Sequence, residues 1–274
     1  MRKDNLTLLI HSCHKFSDLW DAHISLLNKN WPDRNIRTII LTDEPESHTF
    51  PGVEIISAGS GKEITDRIRH VLPLIETEYV LVTLDDYFPI YPIDGSKIDR
   101  LVSVMQTKGY DYIRLFENPR CCNLSATPDS DIYSFTLDND YVVNLYVGIW
   151  RKDFIRNSLS QKSLSAWDYE ASLTAAAARI GANCAMSKGK EFPIMDVVRK
   201  GKLLRSPATY LKKHNLYHGS RPVRTIKETA FLYIKTQVRR ALSYGPEPVL
   251  RFIQKMLMNM GMNSFSGKNK NSDK

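Results

Sequence analysis

Two adjacent aspartates, Asp85 and Asp86, close an apolar run that reads Tyr79-Val-Leu-Val-Thr-Leu84, and Tyr87-Phe88-Pro89 follows them. Two carboxylates confined to one small volume repel each other, and a divalent cation with oxygen ligands relieves that repulsion. The chemistry this suggests is Lewis-acid assistance to an anionic leaving group such as a diphosphate. The plainer role is a turn cap and a solvated acid, since Asp is common where strands end. A second acidic constellation is Ser165-Ala-Trp-Asp-Tyr-Glu170, ahead of an alanine-rich run. Ser165 and Asp168 have capping-box spacing, and Glu170 falls in a first turn where the helix dipole favours an acid, so each has a local structural reason. The chemical reading is a general base at a helix start, beside Trp167 as a pocket wall. Acids two residues apart do not share a helical face, so at most one of Asp168 and Glu170 is the base and the other caps or supports.

Several further positions have side chains suited to a nucleotide or a metal. Asp43 ends another apolar run, where it either accepts from a base or ribose or serves a turn. Lys62 and Arg67 follow Gly59-Ser-Gly61 within reach of phosphate, although the Gly-Lys-Ser/Thr ending of a phosphate-binding loop is missing. His11 and His14 follow the first apolar run, and His214 and His218 lie four apart; single histidines of this kind serve structure as readily as ligation. Of the four cysteines, Cys13, Cys121, Cys122 and Cys184, none forms a CxxC pair, and reduced thiols are expected.

These side chains need a scaffold, and the chain supplies a β-α-β-β-α-β rhythm. The run Tyr79–Leu84 is short and lacks period-two alternation, as in a strand buried on both faces. Strands are also expected at 6–10, 36–41 and 53–56. A helix capped by Ser17 carries Leu19, Trp20, Ile24 and Leu27, and another carries Ile64, Ile68, Val71, Leu72 and Ile75. Ser96 and Asp99 form a capping-box pattern opening a helix that Gly109 ends. Residues 110–116 resume the sheet, 118–130 read as a loop, and 133–137 and 141–150 read as strands, as a hairpin across 138–140. The expected class is α/β: a Rossmann-type, mostly parallel sheet flanked by helices, with ligands at the carboxyl ends of its strands.

Taken in order, Leu84-Asp85-Asp86-Tyr87-Phe88, Ile149-Trp150-Arg151-Lys152 and Ser165-Ala-Trp-Asp-Tyr-Glu170 resemble the GT-A glycosyltransferases of bacterial surface-polysaccharide clusters, of O-antigen and capsule type. The resemblance covers residues 5–215. It implies a GT-A-like catalytic domain at 1–205, with a nucleotide-sugar half at 1–116 and an acceptor half at 117–205. It makes Asp85 and Asp86 the DxD-type element that holds Mn²⁺ or Mg²⁺ against the donor diphosphate, here without the usual spacer. His218 takes the place of a C-terminal metal ligand, and His11, Asp43, Lys62, Arg67, Asp85 and Trp167 line the donor site. Asp168, or Glu170 after it, deprotonates the acceptor hydroxyl in an inverting displacement. A sugar nucleotidyltransferase is the alternative enzyme, but such enzymes carry a Gly-rich basic loop where this chain has His11-Ser-Cys-His-Lys15. An inactive membrane-associated scaffold of the same fold is the non-enzymatic alternative.

The chain has 274 residues, 42% hydrophobic and 25% charged, an ordinary globular composition. No run approaches the roughly 20 apolar residues of a membrane span, and Met1-Arg-Lys-Asp-Asn opens no signal-peptide pattern, so a cytoplasmic protein is expected. The net charge of +8 is uneven: residues 199–274 hold 17 Lys and Arg against 3 Asp and Glu, leaving 21 against 27 in 1–198. Overall basicity is therefore poor evidence for a nucleic-acid-binding core, no such motif is present, and no nucleic acid partner is expected. Within 206–274 an amphipathic helix is expected, with Ile226, Ala230, Phe231, Ile234 and Val238 on one face. A second apolar stretch at 249–260 follows, and 263–274 are expected to be disordered. Basic residues around an apolar face suit the anionic cytoplasmic surface of the inner membrane, and hence a peripheral enzyme with a saccharide, lipid-linked acceptor.

Overall fold

The computed structural model of the chain describes residues 5–115, 124–129, 131–188 and 191–242, the last eight as backbone alone. The chain divides into two compact units, Met1–Arg221 and Pro222–Lys274. The first unit opens with β1 (Leu6–His11), a 3-10 turn (His14–Leu19) and α1 (Trp20–Asn30), then β2 (Arg37–Thr42) and β3 (Glu54–Ser57). Next come α2 (Ile64–Val71), β4 (Tyr79–Leu84), β5 (Tyr87–Pro89), α3 (Gly95–Lys108) and β6 (Tyr112–Arg114). The later elements are β7 (Leu124–Ala126), β8 (Ile132–Phe135), β9 (Gly148–Arg151), α4 (Lys152–Ser158), α5 (Ala166–Arg179) and β10 (Cys184–Ser187). β11 (Ile194–Asp196), which pairs with β5, is followed by a hairpin of β12 (Val198–Arg199) and β13 (Lys202–Leu203) and then by α6 (Arg205–Lys213). The second unit contributes α7 (Ile226–Leu242).

Among the described residues nine strands form one sheet in the order β3-β2-β1-β4-β9-β6-β10-β8-β7. β3, β2, β1 and β4 run parallel; β9 lies antiparallel between β4 and β6, and β10 is again parallel to β6. The fold is thus α/β, with a mixed sheet whose strands point mostly one way.

The burial of β1 and β4 explains why their sequences do not alternate. Every residue of β1 is buried. Leu8 and Ile10 of β1 and Leu81 of β4 pack with Trp20, Ile24 and Leu27 of α1 and with Ile98, Leu101 and Met105 of α3. Leu9, Val80 and Val82 face the other layer, with Ile64, Ile68 and Val71 of α2, Phe154 of α4, and Tyr169 and Leu173 of α5. Each such buried aliphatic side chain contributes roughly 1.5–3 kcal/mol, so this pair of strands anchors whatever is attached to its ends.

Local signals hold in some places and give way in others. Gly109 ends α3 in the left-handed region with φ 69°. The cap of α3, however, is Asp94, whose side chain accepts from the amides of Ser96 and Lys97, so Ser96 sits inside the first turn. Ser17 lies in the 3-10 turn, and α1 starts after it without a side-chain cap. The expected hairpin across 138–140 does not form: β8 pairs with β10 and β7, while β9 pairs with β4 and β6. Tyr141 adopts φ 62°, which stops an extended strand there, and only Gly148–Arg151 of the 141–150 segment joins the sheet. The expected loop 118–130 includes β7, an exposed edge strand with no buried apolar pattern to announce it. The Cys121-Cys122 pair, 249–260 and 263–274 lie outside the described residues; Cys13 is a free thiol and Cys184 is buried.

Candidate active site

The sheet order reverses at β1, which has β2 on one side and β4 on the other. The carboxyl ends of these parallel strands frame a crevice of the kind that takes ligands in open α/β sheets. His11 is opposite Leu84 in the β1–β4 register, and the next amide, Asp85, donates to the His11 carbonyl at 3.1 Å. Asp85 therefore rides on the final rung of the ladder, and Asp86 is the first residue past it.

Asp85 and Asp86 form the turn between β4 and β5, and the two acids have different company. Asp85 is buried toward α1: the Ser12 hydroxyl donates to its Oδ2, and Trp20 Nε1 donates to Ser12 Oγ at 2.7 Å. His23 Nδ1 lies 3.0 Å from the Asp85 carbonyl oxygen, so a proton on that nitrogen completes the bond. Burial pushes the Asp85 carboxyl up to about 7, against the opposing pull of the Ser12 bond and the Arg221 and Arg67 charges. Asp86 Oδ1 is buried without a hydrogen-bond partner among the described residues. Burial, then the charges of Asp85 and Asp196, hold the Asp86 carboxyl well above the ordinary carboxylate range.

Beyond Asp86 the wall is made by two strands that the sequence does not advertise. β5 and β11 pair antiparallel, Tyr87 opposite Asp196, and the Val197 amide donates to the Asp86 carbonyl at 2.9 Å. Asp196 is held by Arg199, Nε to Oδ2 at 2.8 Å. The rings of Tyr87 and Tyr146 stack with centroids 5.3 Å apart and planes within 4°. Glu170 reaches the same wall from α5: its Oε1 accepts from the Leu145 amide at 3.2 Å. Burial raises the Glu170 carboxyl, and its charge acts on the phenols of both Tyr87 and Tyr146.

On the Asp85 side, Arg67 of α2 stands 3.8 Å from Asp43, whose Oδ1 accepts from the His14 amide at 2.7 Å. Burial, then the Arg67 charge, lowers His11 to about 3, so its imidazole is neutral near pH 7; His11 Nδ1 and Arg67 Nε are both buried without a hydrogen-bond partner among the described residues. Cys13, pushed up to about 11 by burial and then by Asp85, is unsuited to act as a thiolate. Arg221 closes this end. Its Nε donates to both Asp18 oxygens at 3.0 and 2.8 Å, its Nη2 donates to Asp18 and the Lys15 carbonyl, and its guanidinium lies 4.4 Å from the Phe16 ring centre. Tyr217 reinforces the clamp by donating to Asp18 at 2.6 Å.

The fold thus gathers His11, Asp43, Arg67 and Asp85 on one flank, with Asp86 and Glu170 on the other. Four other sequence candidates stand apart. The Lys62 side chain is exposed, and only its carbonyl is engaged, by Arg67. Trp167 is 78% exposed. Asp168 is exposed and tied to Ser165, whose hydroxyl donates to Oδ2 at 2.6 Å and accepts from the Asp168 amide at 3.3 Å. His218 is exposed. Among the described residues no three His, Cys, Asp or Glu side chains converge on a cation position. The donor that fits a cation is Asp86, with a buried, unpartnered Oδ1 beside a second carboxylate; Mg²⁺ is commonly held by one or two carboxylates, with substrate phosphates and water completing its shell. Ser12, Tyr146, Asp196, Arg199 and Arg221 were not flagged by the sequence, and Tyr87 entered only as part of the Leu84–Phe88 motif. The one local signal among them is the i, i+3 spacing of Asp196 and Arg199.

No protein-family model matches the chain, and no curated protein sequence does. Solved structures similar to it include S. aureus TarS 1–349 in complex with UDP-GlcNAc, at 14% identity and TM-score 0.47, covering 73% of this chain and 60% of that one. Another is CMP:2-keto-3-deoxy-manno-octonic acid synthetase complexed with CTP, at 12% identity and TM-score 0.43, covering 77% and 98%. The bifunctional IspDF of Campylobacter jejuni matches at 12% identity and TM-score 0.41, covering 70% and 52%. The chain spans 59% of the length of TarS 1–349 taken without ligand. At these scores the likenesses carry no argument about activity.

Proposed function

We propose that the chain transfers a sugar from a nucleotide-sugar donor to a saccharide acceptor, lipid-linked and belonging to a bacterial surface polysaccharide, by an inverting displacement on a GT-A-like scaffold. The observation that carries this reading is the buried Asp85–Asp86 pair at the strand switch point, with Asp86 Oδ1 unpartnered among the described residues while Asp85 is bonded to Ser12. A pair so buried favours a bound cation, and a diphosphate brings the oxygens that complete its shell. Asp86 would hold Mn²⁺ or Mg²⁺, which when bound neutralises charge on the departing diphosphate. Arg67 and Arg221 add fixed positive charge at the Asp85 end.

Glu170 is the better placed of the two candidate bases, because Asp168 is exposed and bonded to the Ser165 cap while Glu170 is half-buried on the Tyr87–Tyr146 wall. Its raised carboxyl is a stronger proton acceptor than an ordinary glutamate. Glu170 takes the proton of the acceptor hydroxyl as its oxygen bonds to the anomeric carbon. The bond from that carbon to the phosphate oxygen breaks on the opposite side, and its electron pair leaves with the nucleoside diphosphate.

The test is a panel of nucleotide sugars with Mn²⁺, read by nucleoside diphosphate release and by donor-induced rise in melting temperature. At least one donor is expected to turn over; Asp86→Asn is expected to abolish the Mn²⁺-dependent shift, and Glu170→Gln to cut turnover about 100-fold or more while keeping donor binding. Asp168→Asn is expected to keep most of the activity. Absence of both turnover and any Mn²⁺-dependent shift, or synthesis of a nucleotide sugar from a sugar phosphate and a nucleoside triphosphate, sinks the proposal.

A further inference from the structure

The second unit begins with a helix whose start is fixed by its own residues. The Thr225 amide donates to Glu228 at 2.8 Å, and the Glu228 amide donates to the Thr225 hydroxyl at 3.2 Å, a complete capping box. The helix α7 that follows leaves large apolar side chains in water: Ile226 is 70% exposed, Tyr233 65%, Ile234 59% and Phe231 50%, with Val223 just ahead at 45%. Exposed apolar groups this dense within twelve residues mark an interaction surface. Its charge context is one-sided, since residues 222–274 carry ten Lys and Arg against three Asp and Glu. None of the described helices is long and apolar enough to cross a membrane.

We infer that α7 docks in the plane of an anionic lipid surface, its Ile, Phe and Tyr side chains entering the headgroup boundary and its basic neighbours pairing with lipid phosphates. Aromatic residues with a polar tip, such as Tyr233, suit that boundary, and Lys or Arg stems reach out of it. Charge complementarity favours this occupant over a second copy of the chain, because apposing two units of the same strong positive sign is repulsive. It is favoured over nucleic acid because the exposed aliphatic and aromatic groups gain nothing from a phosphate backbone. Sugar transfer is not assumed here, and the test reads lipid binding without activity.

The experiment is flotation of the full chain with phosphatidylcholine vesicles, with and without phosphatidylglycerol. Co-flotation is expected only with phosphatidylglycerol and is expected to weaken about 10-fold or more when salt shortens the screening length from about 10 Å toward 3 Å. Phe231→Glu with Ile234→Glu is expected to abolish flotation while leaving the circular-dichroism spectrum and the Mn²⁺-dependent nucleotide shift unchanged. Both substituted residues are at least half solvent-facing, so loss of folding is not the expected result, and Lys227→Glu gives a milder second variant. The inference is overturned by equal binding to both vesicle types, by no binding, by unchanged flotation of the double variant, by an oligomer that the double variant splits, or by RNA displacing the chain from vesicles in a Phe231-independent way.

Discussion

Asp85 and Asp86 are costly residues, and their cost has a sign that can be measured. A carboxyl whose folded value is raised binds protons in the native state that the unfolded state has released, so stability falls as pH rises through that window. For Asp85 the window runs from the ordinary 3.8 up to about 7. His11 and His23 run the other way. Burial lowers them to about 3 and about 4 from 6.5, so their contribution is present above 6.5 and is lost as pH falls toward those values. The two effects overlap, and a difference curve separates them. In chelator, Asp85→Asn is expected to melt several degrees above the parent near pH 8, with the gap closing toward pH 5. A flat difference across that range would show that Asp85 carries no buried charge. Adjacent acids after an apolar run made this pair legible in the sequence. Tyr146, Asp196 and Arg221 were not legible, because each meets the pair only through pairing or packing across more than fifty residues of chain.

Among the elements, legibility follows burial. β1 and β4 are apolar on both faces and stand out; β9 is equally buried but too short to show a pattern, and its neighbours β4 and β6 precede it by long chain separations. The hairpin expected across 138–140 failed for that reason: nothing local reveals that β9 inserts between two strands already formed from earlier sequence. Gly148 is what admits it. A Cβ there would lie 2.9 Å from Tyr112 Cε2 and 3.1 Å from the Ile113 carbonyl. Neither neighbour has room to yield, since Tyr112 is fully buried and the carbonyl belongs to β6. Gly148→Ala is expected to destabilise the first unit by about 1–3 kcal/mol, measured by urea unfolding; a change below about 0.5 kcal/mol would show that the sheet adjusts freely. The same substitution tests whether Asp85 and Asp86 depend on the centre of the sheet, because β9 pairs directly with β4.

At the scale of the whole molecule, the first unit is close to neutral, with 28 Lys and Arg against 27 Asp and Glu, and the second is basic, with ten against three; the first holds a buried acidic pair and the second an exposed apolar helix. The crevice itself is built from parts of unequal tenacity. The Asp85 amide is a rung of the β1–β4 ladder in the most deeply buried layer. Arg221 is held by side-chain contacts to Asp18, Lys15 and Phe16 at the end of a segment with little backbone pairing of its own. Amide hydrogen exchange should therefore see two clocks in one site. The amides of 80–85 are expected to exchange only with global unfolding, and those of 217–221 by local opening orders of magnitude sooner; equal rates would show a single cooperative unit. Under thermal agitation the crevice then sheds Arg221 long before its aspartates, so part of the positive charge that opposes the rise of Asp85 is the first piece of the site to go.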